Sequence, residues 1–218
     1  RCRHVEPGAL AGSPDGVPAS RGGRLTPQPS EPVSGRGLLV RWRDSILLKL
    51  YDRLTRNDPV QPSDLIYVMA GRHDRKVYGL ELFRAGVAPR LLLSVGRYEV
   101  SRFPTLRIPG TEELLAMRDA TPPEQRHFFV ELSAGGVRIE RAGLAQWSTS
   151  GEVAALRRFL TGHSLRRLVV VSTDVHLRRV AFTFGRAFGR TAVEFLYCPV
   201  PPRLQVLQRE QWWTRPKD

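Results

Sequence analysis

The sequence predicts an α/β domain with a mainly parallel sheet over about residues 63–200, on three grounds. Short apolar runs at 64–70, 90–95 and 168–173 lack the polar alternation of a half-exposed strand, as strands covered on both faces do. Segments of helix length, with apolar residues three or four apart, separate them. All three runs end in small residues: Gly71, then Ser94-Val95-Gly96, then Ser172-Thr173.

Residues 1–36 are rich in Pro, Gly, Ser and Arg and carry almost no apolar periodicity, so they are expected to be disordered. An amphipathic helix is predicted within 37–57, because Leu39, Trp42, Ile46, Leu50 and Leu54 recur at helical spacing. Packing of that stripe on the domain is the expected arrangement; contact of 38–54 with a membrane surface is the alternative. Asn57-Asp58-Pro59 ends the helix.

The domain follows over 58–200. After the strand at 64–70, Val77, Leu80, Leu82 and Phe83 mark a helix closed by Gly86. After the strand at 90–95, Thr111 is expected to cap a helix running through Met117. Residues 127–131 and 137–140 read as short strands around a Gly135-Gly136 turn, and 150–160 as a helix. Residues 168–173 form the clearest buried strand, followed by a helix to about Phe188 and a last strand at 193–197. Residues 201–218 are a C-terminal extension.

The formal net charge of +13 first suggests nucleic acid or an anionic membrane surface. Nearly all of the 34 basic residues are Arg, however, with Lys only at Lys49, Lys76 and Lys217, and carboxylates lie between them from end to end. A nucleic-acid binder concentrates its charge on an arm or helix, so no specific nucleic-acid partner is expected. Cys2 and Cys198 form neither a metal spacing nor a disulfide framework. No apolar run reaches the roughly 18 residues that cross a bilayer, and no signal-peptide core is present. The expected location is the cytoplasm, with peripheral membrane attachment and an upstream anchor left open.

Three strands ending in small residues predict one shared site, because ligands of open α/β sheets bind beyond the carboxyl ends of strands. The helices that follow offer unpaired N–H groups to a phosphate or carboxylate. Candidate ligand-binding residues are Gly71, Arg72, Arg75, Ser94, Gly96, Glu99, Ser150, Ser172, Thr173 and Arg179. His176 and Arg179 share one face of a helix's first turn, where a neutral imidazole is favoured. His176 and Glu152 are the candidates for proton transfer. There are structural alternatives: His176 as a helix-start hydrogen bonder, Arg75 as a surface cation, Glu99 as a lone loop carboxylate, and Trp147 to Glu152 as a capped helix start.

In order and spacing these pieces resemble the YdcF-like family (domain of unknown function 218), which includes the SanA and ElyC envelope proteins. The resemblance runs from about Asp64 to Tyr197. It rests on Arg75, on Leu82-Phe83-Arg84-Ala85-Gly86-Val87-Ala88-Pro89, on Ser94-Val95-Gly96, on Ser148-Thr149-Ser150-Gly151-Glu152-Val153 and above all on Ser172-Thr173-Asp174-Val175-His176-Leu177-Arg178-Arg179. Val95 replaces the middle Gly of the family's Ser-Gly-Gly, and Val153 replaces the final Asn of its Ser-x-Asn-Thr-x-Glu-Asn phrase. The resemblance implies a Rossmann-like three-layer fold, a role in bacterial cell-envelope metabolism (peptidoglycan or lipid carrier), and S-adenosylmethionine or another nucleotide as ligand. It implies no particular reaction. The expected partner is an anionic small molecule that the domain either transforms or, as a non-catalytic adaptor, only binds. A charge-driven peripheral membrane or nucleic-acid binder is the third alternative.

Overall fold

The computed structural model describes residues 35–189, 191–205, 209, 212 and 213. The expectation of disorder at the N-terminus falls on 1–34, outside the described residues. Among these residues six strands form one sheet: β1 (Leu65–Val68), β2 (Arg90–Gly96), β3 (His127–Ser133), β4 (Gly136–Arg141), β5 (Arg167–Ser172) and β6 (Glu194–Pro199). Their order is β4-β3-β2-β1-β5-β6, with β2, β1, β5 and β6 mutually parallel. The β3–β4 hairpin adds an antiparallel extension beside β2.

Side-chain alternation along buried strands divides the core into two layers. Ile66, Val68, Leu91, Leu93, Val169 and Val171 face one side with Leu80 and Leu82 of α2 (His73–Arg84) and Leu114 of α3 (Thr111–Asp119). Leu65, Tyr67, Leu92, Leu168 and Val170 face the other, under Val153 and Leu156 of α4 (Thr149–Phe159) and Leu177, Val180 and Phe184 of α5 (Asp174–Phe188). The result is a three-layer, Rossmann-like α/β fold. Strands β1 and β2 continue one way across the sheet while β5 and β6 lie on the other side of β1. That reversal is a topological switch point, and it opens a crevice beyond the carboxyl end of β1.

Gly86, at φ 75°, follows the end of α2 in a Schellman arrangement: Val87 N–H donates to Leu82 C=O and Gly86 N–H to Phe83 C=O. Two expectations need correction. Thr111 does not cap α3. Gly110 occupies the cap at φ 81°, and the Thr111 hydroxyl points back to donate to Ile108 C=O. The second correction concerns α1, which spans Gly35–Leu54 and so begins within the expected tail. It packs on α5 with Trp42, Ile46 and Leu50 of the predicted stripe turned outward and, of the stripe's described side chains, only Leu54 partly covered. Tyr51 is buried and Leu47 and Leu54 half-buried, whereas Trp42, Ile46 and Leu50 stand exposed. Among the described residues, no helix is long and apolar enough to cross a membrane.

Candidate functional site

The crevice is an open cavity of about 820 Å³ at the carboxyl ends of β1, β2 and β5. Gly71, Arg75, Gly96, Glu99, Glu152, Thr173, His176 and Arg179 from the sequence-derived set line it. Sheet register brings the strand ends together, since Val68 of β1 pairs with Leu93 of β2 and with Val171 of β5.

Arg75 sits at the back of the crevice, on the first turn of α2, and is only 8% exposed. One Nη donates to Ala70 C=O and the other to Thr173 Oγ1 at 3.1 Å, so its guanidinium ties the ends of β1 and β5. Its buried Nε has no hydrogen-bond partner among the described residues. Burial lowers its pKa, while the carboxylates of Glu152 and Glu99 act in the opposite direction. Gly71 makes this packing feasible. Its φ of 130° is unfavourable for an L side chain, and a Cβ there would meet Arg75 Nη1 at 2.7 Å.

Glu99 is no free loop carboxylate. Its Oε1 accepts from Gly71 N–H, and its Oε2 accepts from Lys76 Nζ and from Gly96 N–H at 3.3 Å. The strand-end amides of β1 and β2, expected to face a ligand anion, are therefore engaged by the protein's own carboxylate. The Lys76 side chain is 3% exposed and pairs with the partly buried Glu99 carboxylate.

Glu152 lies in the first turn of α4, whose N-cap Ser148 accepts from Gly151 N–H at 3.1 Å. Glu152 Oε1 accepts from Tyr67 Oη and from Ala70 N–H, both at 2.8 Å. His176 lies on the first turn of α5, with Nδ1 3.1 Å from Ser172 Oγ and Nε2 3.4 Å from Thr149 Oγ1. Burial, then the positive charges of Arg75 and Arg179, bring its pKa down to about 4. It is neutral at pH 7, able to donate from one ring nitrogen and accept at the other. Arg179, one helical turn on, is exposed, and its side chain donates no hydrogen bond to another described residue.

The remaining candidates lie elsewhere. Ser94 and Ser172 are fully buried beneath the crevice and act through other groups: Ser94 Oγ is 2.7 Å from His127 Nε2, and Ser172 orients His176. Arg72 occupies the N-cap position of α2 without a capping side-chain hydrogen bond and pairs with Asp74 at 3.3 Å, away from the cavity lining. Ser150 is exposed and only reaches the Ser148 hydroxyl at 2.9 Å; Thr149, its neighbour, faces the crevice instead.

Sequence reasoning missed His127, Tyr67, Lys76, Trp147 and Arg97 as contributors. His127, 4% exposed, lines the wall with its Nδ1 unpartnered among the described residues and its pKa lowered by burial. Tyr67 holds Glu152 from below, and Lys76 holds Glu99. Trp147 stands at the rim, where Arg97 lies 4.3 Å from the Tyr98 ring and 5.3 Å from the Trp147 ring. With Glu99 neutralised by Lys76 and Glu152 facing Arg75, Arg179 and Arg97 leave the mouth net positive. Such a site suits an anion bound beside a neutral imidazole and a carboxylate. No family model, curated protein or solved structure matches this chain.

Proposed function

We propose that the crevice binds a phosphorylated, nucleotide-like small molecule. The supporting observation is the convergence of Arg75, Arg179 and a neutral His176 at the topological switch point, in a cavity large enough for a drug-sized ligand. In this reading Arg179 grips the anionic group and Arg75 supplies a fixed positive charge behind it. His176 exchanges a hydrogen bond or proton with the ligand, and the Glu152 carboxylate faces its hydroxyl groups.

The donor set fits a phosphate better than S-adenosylmethionine, whose charges are one carboxylate, one ammonium and one sulfonium. The Ser172 to Arg179 phrase supports membership of the YdcF-like family and, through it, a role in cell-envelope metabolism. A thermal-shift titration with nucleoside phosphates, S-adenosylmethionine and phosphorylated sugars tests the reading. The expected result is saturable stabilisation by a phosphorylated compound that is lost in Arg179→Ala. Stabilisation by S-adenosylmethionine alone, or equal stabilisation of the variant, would sink it. Turnover of the stabilising compound would then separate an enzyme from a binding adaptor.

A further inference from the structure

We infer that the outer face of α1, together with the adjoining face of α5, docks on an anionic lipid surface. Trp42, Ile46 and Leu50 follow one another at four-residue intervals and are 68%, 44% and 43% exposed. They therefore form a continuous apolar stripe on the side of α1 opposite its contact with α5. Isolated exposed apolar residues are ordinary, but three in line on one helix, led by Trp, match an element that lies in a membrane interface.

Charge on the same face points to the same partner. Helical spacing puts Lys49 and Arg53 on the stripe itself and Arg43 at its border, whereas Asp44 and Asp52 fall off it. Both carboxylates are also engaged: Asp44 with Arg43 at 3.0 Å and Asp52 with Arg209 at 2.6 Å. Arg178 of α5 donates to Arg53 C=O, which joins the two helices' outward faces. From there α5 presents Arg178, Phe182 and Arg186 at four-residue intervals, all exposed, with Phe182 at 65%. The only carboxylate of α5, Asp174, is buried. An apolar stripe shared with cations and, among the described residues, without a free carboxylate complements anionic headgroups over acyl chains. A second copy of this face would instead set cation against cation.

The test is flotation of the full chain with vesicles of phosphatidylcholine alone and of phosphatidylcholine mixed with phosphatidylglycerol. The wild-type chain should float with the mixed vesicles only. The triple variant Trp42→Ser, Ile46→Ser, Leu50→Ser should lose about tenfold or more in vesicle partitioning, because each large apolar side chain buried contributes at least about a decade. Its melting temperature should hold, since the replaced side chains are exposed. The double variant Lys49→Glu, Arg53→Glu should lose binding in low salt. Undiminished flotation of the triple variant would show that charge elsewhere in the chain does the binding and would overturn the inference. So would absence of wild-type flotation, or a wild-type dimer that the triple variant converts to monomer.

Discussion

The two walls of the crevice solve the same electrostatic problem in opposite ways. On the β2 side, the amides of Gly71 and Gly96 and the ammonium of Lys76 converge on Glu99, so the wall is satisfied from within. On the α5 side, Arg179 has no partner among the described residues and His176 stays neutral beside two arginines. An observer counting donors at strand ends would place a ligand anion against the β2 wall. The geometry instead leaves the attraction for anions to α5. A strand end with free-looking amides is a binding site only if no side chain of the protein reaches it first.

Breaking the closed wall should have the largest effect. Glu99→Ala leaves the Lys76 ammonium buried and unpaired, at a cost of about 3 kcal/mol in chemical denaturation. Lys76→Met added to Glu99→Gln should recover most of that loss, because the buried charge is then gone. If the double variant is no more stable than Glu99→Ala, the pair does not hold the wall. Gly71→Ala comes next, at about 2 kcal/mol, from the unfavourable φ and the collision with Arg75. Shifted urea midpoints would report it, and an unchanged midpoint would refute the packing argument.

The open wall should yield little stability and much affinity. His176→Ala should cost less than about 1 kcal/mol at pH 7. Its pH signature has a definite sign. The folded-state pKa of about 4 lies below the ordinary 6.5, so the unfolded chain takes up the proton first. The contribution is whole above pH 6.5 and is lost as pH falls from there towards 4. The stability of His176→Ala should therefore decline less steeply with acid than that of wild type. Parallel acid profiles would mean that His176 does not titrate as its surroundings demand. Arg179→Lys should leave melting unchanged and weaken phosphate-ligand binding about tenfold in calorimetry, since an ammonium lacks the bidentate fork. Unchanged affinity would remove Arg179 from the site.

The sheet was legible because β1, β2 and β5 are buried on both faces and so consist of continuous apolar runs closed by small residues. Residues directly after parallel strands, such as Gly71, Thr173 and His176, were found for the same reason. His127 was missed because β3 runs antiparallel. Its first residue, not its last, pairs with Gly96 and reaches the crevice, and periodicity carries no information on strand direction. Lys76 looks like any helix cation until Glu99 is seen beside it, 23 residues on. In α1 the sequence offers two apolar series, the predicted Trp42-Ile46-Leu50-Leu54 and a second one, Leu47-Tyr51, beside it. Spacing alone could not say which meets α5, because both have helical periodicity.

Asp174 opens α5, and its carboxylate accepts from Tyr51 Oη of α1, from Gln205 Nε2 at 3.0 Å and from Val175 N–H at 2.8 Å. Burial raises its pKa. Side chains from positions 51 and 205 thus fasten on the residue two before His176. A fragment trimmed to 58–200, which contains every strand among the described residues, would strip that buried carboxylate of two donors and uncover the start of the helix that carries the open wall. The flanking segments on both sides of the sheet thus clasp the start of that helix.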